Sequence, residues 1–169
     1  MNCVNSFPPL RSPQARLLIL GSMPGVASLK AQQYYAHPQN QFWKILGSLL
    51  GFDPASSYEE RTRHLAQAGI AVWDVLARCV REGSLDSAID TASAVPNDFT
   101  AFFTDHPTIR RVCFNGMAAE SLFMRQVRPH LSGLLMLEYV RLPSTSPAHA
   151  SIRLADKLTI WSAAISPVG

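Results

Sequence analysis

Short apolar runs alternate with longer amphipathic stretches along this chain. The runs cover residues 17–20, 70–73, 109–114 and 134–140, and polar or turn-forming residues separate them from the intervening stretches. Apolar runs of this length are typical of strands that are buried on both faces of a sheet. The pattern therefore predicts four buried strands.

The stretches between these runs have helical spacing. One apolar helix face follows the i, i+3, i+4, i+7, i+8 pattern with Phe42, Ile45, Leu46, Leu49 and Leu50. Further helices are predicted over residues 57–69, which open with capping-box spacing, over about 97–105 and 117–127, and along an apolar stripe of Leu154, Leu158, Trp161 and Ile165. Helices that alternate with buried strands predict right-handed βαβ units and a parallel sheet with helices on both faces.

The composition fits one compact domain. With 169 residues and 47% hydrophobic content the chain can bury a sizeable core, and its mean hydropathy is +0.06. We expect one domain over residues 15–169, preceded by an extended lead-in over residues 1–14 that is rich in proline. No apolar run approaches the ~20 residues that span a bilayer, and the N-terminus lacks the apolar segment of a secretory signal.

Cysteine and charge distribution narrow the function classes. The three cysteines, Cys3, Cys79 and Cys113, are scattered and lack CxxC spacing, which favours a reducing cytoplasm over a disulfide framework or zinc site. No metal site is predicted, because no HExxH motif or clustered His/Cys set occurs. The net charge of +3 is uneven: residues 106–157 carry seven basic and three acidic residues, and twelve of the fifteen basic residues are Arg. This distribution permits a polyanionic partner.

Polar and turn-forming residues follow each predicted strand, where the ligand site of an open α/β sheet lies. These segments are Gly21-Ser22-Met23-Pro24-Gly25, Asp74-Val75, Asn115-Gly116 and Pro143-Ser144-Thr145-Ser146-Pro147-Ala148-His149. The longest loop follows the first strand and runs to about Asn40, and loops this long are usually functional. A phosphate-binding loop is excluded there, because neither Gly-Lys-Ser/Thr nor GxGxxG occurs, and a plain turn is the alternative for residues 21–25.

Several residues of these loops admit both a structural and a chemical role. Asn40 and Asn115 either cap the helix that follows each of them or present a carboxamide to a heterocyclic base. Phe42 packs in the core or stacks on such a base, and His37 is either a general base or a hydrogen-bonded structural histidine. The hydroxyl-rich residues 143–149 either grip phosphates or connect two elements. A serine hydrolase is excluded because GxSxG is missing.

Taken in order, these motifs resemble the uracil-DNA glycosylase superfamily, and most closely its hypoxanthine-DNA (deoxyinosine) glycosylase branch, which is related to the mismatch-specific uracil-DNA glycosylases. The resemblance spans residues 17–161 and rests on Gly21-Ser22-Met23-Pro24-Gly25 with Ser28-Leu29, Tyr35-Ala36-His37-Pro38-Gln39-Asn40-Gln41-Phe42-Trp43, Trp73-Asp74-Val75, Gly83-Ser84-Leu85-Asp86, Phe114-Asn115-Gly116 and Leu142-Pro143-Ser144-Thr145-Ser146-Pro147-Ala148. It implies a three-layer α/β/α fold with a central four-stranded, mainly parallel sheet. It also implies a monofunctional glycosylase that flips a damaged nucleotide out of the duplex and needs no cofactor or metal.

The same resemblance implies a role for each residue of the site. Asn40 would position the attacking water, and Asn115 would read or stabilise the flipped base. The base pocket would comprise Gly21, Ser22, Met23, Pro24, Gly25, Tyr35 and Phe42, with Tyr35 stacked on the base. The DNA-binding loop would be Ser144, Thr145, Ser146, Pro147, Ala148 and His149, with phosphate contacts from Ser144 and Ser146. Supporting positions behind these would fall to His37, Asp74 and Asp86.

One position departs from the relatives. In the mismatch-specific enzymes an Asn before the first motif's Pro positions the water, whereas this chain has Met23, which forms no useful hydrogen bond. The water-positioning role therefore moves to Asn40, and hypoxanthine, the deamination product of adenine, becomes the implied base. The alternatives are activity on uracil in mismatches and a catalytically silent nucleic-acid-binding module. A nucleotide hydrolase is a more distant alternative, since metal-binding acids are lacking at the strand ends.

These expectations extend to partner and location. The implied substrate is double-stranded DNA that contains a deaminated base, and single-stranded DNA is left open as a second substrate. The protein is expected to be a monomer in the cytoplasm, associated with the nucleoid if bacterial, and to have no membrane partner.

Overall fold

Seven strands form two sheets in the computed structural model, which describes residues 2–133 and 135–166. In chain order they are β1 (Cys3–Asn5), β2 (Leu17–Gly21), β3 (Ile70–Asp74), β4 (Leu76–Arg81), β5 (Ile89–Pro96), β6 (Arg111–Asn115) and β7 (Glu138–Leu142). The central sheet has the order β3-β2-β6-β7, and each neighbouring pair is parallel. The prediction of a four-stranded parallel sheet is confirmed.

Helices cover both faces of this sheet. In chain order they are α1 (Val26–Ala31), α2 (Phe42–Leu50), α3 (Tyr58–Gln67), α4 (Phe99–Asp105), α5 (Met117–Gln126) and α6 (Leu154–Ile165). The longer ones fall where the apolar spacing predicts them. The predicted cap of α3 is present, because the Ser57 hydroxyl accepts a hydrogen bond from the Glu60 N–H at 3.2 Å.

Aromatic contacts assign the helices to two layers. Phe99 of α4 lies 5.0 Å from Trp73 of β3 and 5.4 Å from Phe123 of α5, measured between ring centroids. On the other face α6 packs beside α2, and Arg111 of β6 donates to the Ala164 carbonyl of α6 at 2.6 Å. The order of layers is α4 and α5, then the sheet, then α2, α3 and α6. This is the expected three-layer α/β/α fold.

The apolar pattern does not predict the second sheet, in which β1, β4 and β5 pair antiparallel. Its strands lack a continuous apolar run, because β1 has three residues and most of β5 is exposed or half-buried. Through β1 and a bridge between Leu10 and Val72, the proline-rich segment at the start of the chain packs against the domain. The connection between β4 and β5 reaches the carboxyl ends of the central strands.

Two predicted boundaries are wrong. The last strand is Glu138–Leu142 rather than residues 134–140, and Leu134 itself lies outside the described residues. Its bounds follow from the parallel ladder with β6, whereas Met136 in the apolar run is 83% exposed. The loop after β2 is also not continuous, because it contains α1. Among the described residues no helix has the length and apolar character needed to cross a membrane.

Candidate active site

The carboxyl ends of the parallel strands meet at one edge of the central sheet, as predicted. The strand register pairs Gly21 with Asp74 and Asn115 with Leu142. A cavity of about 280 Å³ opens there, beside the point where the strand order reverses between β2 and β6. The sequence-predicted residues that line it are Gly21, Ser22, Met23, Pro24, Gly25, Tyr35, His37, Asn40, Asp74, Asp86, Asn115, Ser144, Thr145, Ser146, Pro147 and Ala148.

Two residues of the predicted set lie outside the cavity lining. Phe42 is fully buried behind Tyr35, with the two rings stacked at a centroid distance of 4.0 Å. This corrects the prediction that Phe42 forms part of the pocket wall, because the first turn of α2 directs its ring into the core. His149 is exposed, and its carbonyl accepts a hydrogen bond from Lys157.

Gly21, Tyr35 and Asp74 form the cavity floor. A Cβ placed on Gly21 would stand 2.5 Å from Asp74 Oδ1 and 3.0 Å from the Tyr35 hydroxyl, so only glycine allows this approach. Tyr35 has a left-handed backbone with φ +54°, a conformation that non-glycine residues rarely adopt. The Tyr35 hydroxyl and Asp74 Oδ2 are buried without a hydrogen-bond partner among the described residues. Asp74 Oδ2 is thus a polar group of the floor that no described neighbour satisfies, whereas the Tyr35 hydroxyl lies beside the Asn115 carboxamide.

Burial governs the protonation of the cavity floor. The pKa of the Asp74 carboxyl is raised to about 7 by loss of solvation and then by the negative charge of Asp86, while Arg81 opposes the rise. Burial and the charge of Asp74 also hold the pKa of the Tyr35 hydroxyl well above its ordinary value, and Asn115 opposes that rise. Tyr35 is therefore neutral at physiological pH, whereas the pKa of Asp74 lies close to physiological pH.

The connection between β4 and β5 holds the turn over residues 21–25. Asp86 Oδ1 accepts from the Ser22 hydroxyl at 2.5 Å, and the Ser84 hydroxyl accepts from the Val26 N–H at 2.9 Å. Arg81, which is buried, donates to the Pro24 carbonyl at 2.5 Å. Arg81 could not be identified from the sequence, because no spacing or motif distinguishes it from an exposed arginine of an edge strand.

The Asn40 carboxamide is oriented by the start of α2. Its Oδ1 accepts from the Phe42 N–H at 3.0 Å, and the backbone N–H of Asn40 donates to the His37 carbonyl at 2.9 Å. Within the described residues its Nδ2 has no hydrogen-bond partner, and the residue lines the cavity. The N-cap residue of α2 is Gln41, so Asn40 is not the predicted cap but closes a side-chain turn just before the helix, and it keeps a free donor at the cavity. His37 is exposed at the rim, where its Nδ1 accepts from the Gln39 N–H.

Asn115 connects the end of β6 to the serine-rich loop over residues 143–149. Its Nδ2 donates to the Thr145 hydroxyl and its Oδ1 accepts from the Thr145 N–H, both at 2.9 Å. One Nδ2 hydrogen and one Oδ1 lone pair are left for a ligand. Thr145 is fully buried, so within the predicted DNA-binding loop it anchors the loop from inside.

The serine-rich loop has one further anchor in α6 and two hydroxyl hydrogens that can donate outward. Lys157, buried in α6, donates from Nζ to the His149 carbonyl at 2.9 Å and to Gln41 Oε1 at 3.0 Å, and burial lowers its pKa. The hydroxyl oxygens of Ser144 and Ser146 accept from the N–H groups of Ser146 and Ala148. Because each oxygen accepts from the backbone, each O–H hydrogen can donate outward to an acceptor such as a phosphate.

The cavity contains no evident metal site. No group of three or more His, Cys, Asp or Glu side chains within residues 2–133 and 135–166 is arranged to hold a metal ion. The chemistry that its residues offer is hydrogen bonding from two carboxamides, a neutral tyrosine and a carboxyl group. Such an array suits a flat polar heterocycle enclosed by an otherwise apolar wall.

Known proteins are similar to this chain in sequence and in fold. The model of the uracil DNA glycosylase superfamily matches residues 8–164. The chain belongs to this superfamily. A Methanosarcina acetivorans protein named hypoxanthine DNA glycosylase is 36% identical over 144 residues, which are 85% of this chain and 86% of the relative. A Methanosarcina barkeri protein of the same name is 40% identical over 111 residues, or 65% of this chain and 69% of the relative.

A solved structure agrees with this membership of the uracil DNA glycosylase superfamily. The solution NMR structure of a Methanosarcina acetivorans protein assigned to the uracil DNA glycosylases matches with a TM-score of 0.80 and 32% sequence identity, covering 97% of both chains. The resemblance stated from the motifs is therefore confirmed at the level of the superfamily and its fold.

Proposed function

We propose that this protein is a DNA base-excision glycosylase that hydrolyses the N-glycosidic bond of a flipped deaminated base, with hypoxanthine in deoxyinosine preferred. The observation that carries the proposal is the cavity at the strand ends, where Asn40, Asn115 and Tyr35 come together. Membership of the uracil DNA glycosylase superfamily and two relatives named hypoxanthine DNA glycosylase support it.

The cavity suits a base that has left the helix. A glycosidic bond cannot be reached inside a duplex, so the nucleotide has to rotate into a pocket, and about 280 Å³ is the scale of one small heterocycle. Asn40 holds the water that attacks the sugar carbon as the bond to the base breaks. Asn115 binds the departing base, on which negative charge develops, and fixed donors in a cavity shielded from water stabilise that charge effectively.

The serine-rich loop is the DNA-facing element of this proposal. Ser144 and Ser146 offer their hydroxyl hydrogens to backbone phosphates, while Thr145 and Lys157 hold the loop from inside. Phosphate contacts of this kind fix the position of a protein on the duplex without reading sequence. We also propose that the protein acts as a monomer on duplex DNA.

Single-turnover cleavage tests the function. Labelled duplexes carry one deoxyinosine, one deoxyuridine or only normal bases, and alkali converts each abasic site into a nick. We expect scission at deoxyinosine, slower scission at deoxyuridine and none in the normal duplex, in buffer with chelator and no added cofactor. Faster scission at deoxyuridine would assign the protein to uracil repair. Binding without scission at either base would indicate a silent DNA-binding module.

Asn115→Ala is expected to change base preference more than it weakens binding to undamaged duplex. In this proposal the carboxamide contacts the base, so its loss should shift the ratio of deoxyinosine to deoxyuridine excision by at least about threefold. This threshold is lower than the discrimination between bases that one good polar contact supplies. Thr145→Val is the matched control, because it removes the hydroxyl that anchors Asn115 but leaves the carboxamide in place. If the excision ratio shifts equally in both variants, the base preference depends on the position of the serine-rich loop and not on the Asn115 carboxamide.

A further inference from the structure

Asp74 lies in the cavity floor with a carboxyl group that no neighbour neutralises. The residue is 3% exposed, and its Oδ2 is buried without a hydrogen-bond partner among the described residues. The ion pairs within this part of the chain are Arg111–Glu138, Arg141–Glu120 and Arg153–Asp156, none of which includes Asp74. Its place is fixed by the sheet, because Asp74 pairs in register with Gly21. Buried polar groups in folded proteins almost always have a hydrogen-bond partner, so we infer that a ligand atom fills this role for Asp74.

Charged and titratable groups approach Asp74 from several elements. They are Asp86 of the turn after β4, Arg81 of β4, Tyr34 and Tyr35 before α2, and Tyr58 of α3, with His37 at the cavity rim. Arg81 does not neutralise the carboxyl, because its Nε and Nη2 donate to the carbonyls of Gly83 and Pro24. Arg81 and Asp86 therefore act on the pKa of Asp74 in opposite directions, and neither forms a described ion pair with it.

The protonated form of Asp74 is available near neutral pH. Burial and the charge of Asp86 raise its pKa to about 7. Below that pH the carboxyl is neutral and carries one O–H donor, and above it the group is only an acceptor. Within residues 2–133 and 135–166 no hydrogen bond occupies Oδ2, so this donor is not taken up by the described protein. The Tyr35 hydroxyl beside it is a second donor in the same position.

We propose that Asp74 contacts the flipped base as a neutral acid and donates a hydrogen bond to the carbonyl oxygen that deamination creates. The inference rests on the proposed function and deepens it by naming the feature that marks the substrate. Adenine and cytosine carry an exocyclic amino donor, and deamination replaces it with a carbonyl acceptor. A hydrogen-bond donor in the cavity floor can bond to the carbonyl oxygen of the deaminated base. The same donor faces the amino hydrogens of the parent base unfavourably, because two donors then meet. The contact is a hydrogen bond, and no proton is transferred.

Asp74→Asn separates the neutral acid from the carboxylate, because Asn has the same shape, keeps an N–H donor and does not titrate. Single-turnover excision of deoxyinosine by the wild type is expected to fall at least about 10-fold between about pH 6 and about pH 8.5, as a group with a pKa near 7 ionises. The Asp74→Asn rate should change by less than about threefold and exceed the wild-type rate at the upper pH. Titration of the base itself affects both proteins equally.

A binding measurement keeps this test separate from the test of function. Fluorescence anisotropy gives the affinity for a duplex with deoxyinosine relative to the same duplex with deoxyadenosine, with no need for turnover. This ratio should fall with rising pH in the wild type and stay constant in Asp74→Asn. If the wild type cuts neither base but shows this binding pattern, the glycosylase proposal fails and the role of Asp74 stands.

Two results would overturn the role of Asp74. If Asp74→Asn keeps the wild-type pH dependence of rate and binding ratio, Asp74 is not the group that sets this dependence and its role is structural. If Asp74→Asn is folded but inactive and unselective at about pH 6, the site requires a carboxylate rather than a neutral donor. Circular dichroism and thermal unfolding establish folding, and removal of a buried charge should leave the variant at least as stable as the wild type above about pH 7.

Discussion

Gly21→Ala is expected to lower single-turnover excision by at least about 100-fold in protein that still folds, since a displacement of about 1 Å at a reacting centre can have an effect of that size. The added Cβ would stand 2.5 Å from Asp74 Oδ1 and 3.0 Å from the Tyr35 hydroxyl. Neither group has room to retreat, because Asp74 is buried and Tyr35 is stacked on Phe42. The substitution therefore displaces the cavity floor that we propose as the base-binding surface.

Gly47→Ala is the matched control for overpacking. In this variant the Cβ would stand 2.7 Å from the Phe52 carbonyl oxygen and 3.3 Å from Pro54 Cδ, in α2 and away from the cavity lining. Each substitution inserts one methyl group into a tight contact and should lower the free energy of unfolding by about 1–3 kcal/mol. Thermal unfolding should therefore shift in both variants, and excision only in Gly21→Ala. A similar loss of excision in both folded variants would contradict a specific role for the cavity floor.

The central sheet could be predicted because its first strands are buried on both faces. All five residues of β2 and of β3 are buried, so each leaves an apolar run that the sequence displays. β4 and β5 leave no such run, since their pairing is satisfied by backbone hydrogen bonds among partly exposed residues. The bounds of β7 follow from its ladder with β6, a contact between distant segments that the apolar run at 134–140 does not encode.

The location of the site could also be predicted, but not the partners of its side chains. Parallel strands bring their carboxyl ends together, which was enough to place Asp74 and Asn115 at one cavity. Which atoms are satisfied depends on how the loops pack. Thr145 forms hydrogen bonds with both the Nδ2 and the Oδ1 of Asn115. Arg81 donates to the Pro24 carbonyl and forms no described hydrogen bond with Asp74. No spacing in the sequence encodes these choices, because they arise between segments that are far apart in the chain.

Asn40→Ala is expected to lower single-turnover excision of deoxyinosine by about 10- to 1000-fold, the range for loss of one positioned polar contact in a reaction site. We propose two tasks for Asn40, because its Oδ1 accepts from the Phe42 N–H while its Nδ2 has no partner within the described residues and the residue lines the cavity. Alanine removes both. The lost hydrogen bond at the start of α2 should lower the free energy of unfolding by only about 1 kcal/mol. Most of the variant should therefore stay folded, and unfolding would not explain the loss of rate.

Asn40→Ser separates the two tasks. Serine is a good acceptor for the first N–H groups of a helix, so it should keep the bond to Phe42 and the stability, but its short hydroxyl cannot replace the carboxamide at the cavity. We expect its excision rate to fall as far as that of Asn40→Ala while its thermal unfolding stays near the wild type. Gln39→Ala, at an exposed neighbour outside the cavity lining, should leave both unchanged. If serine restores excision together with stability, Asn40 is a helix cap and another residue positions the water.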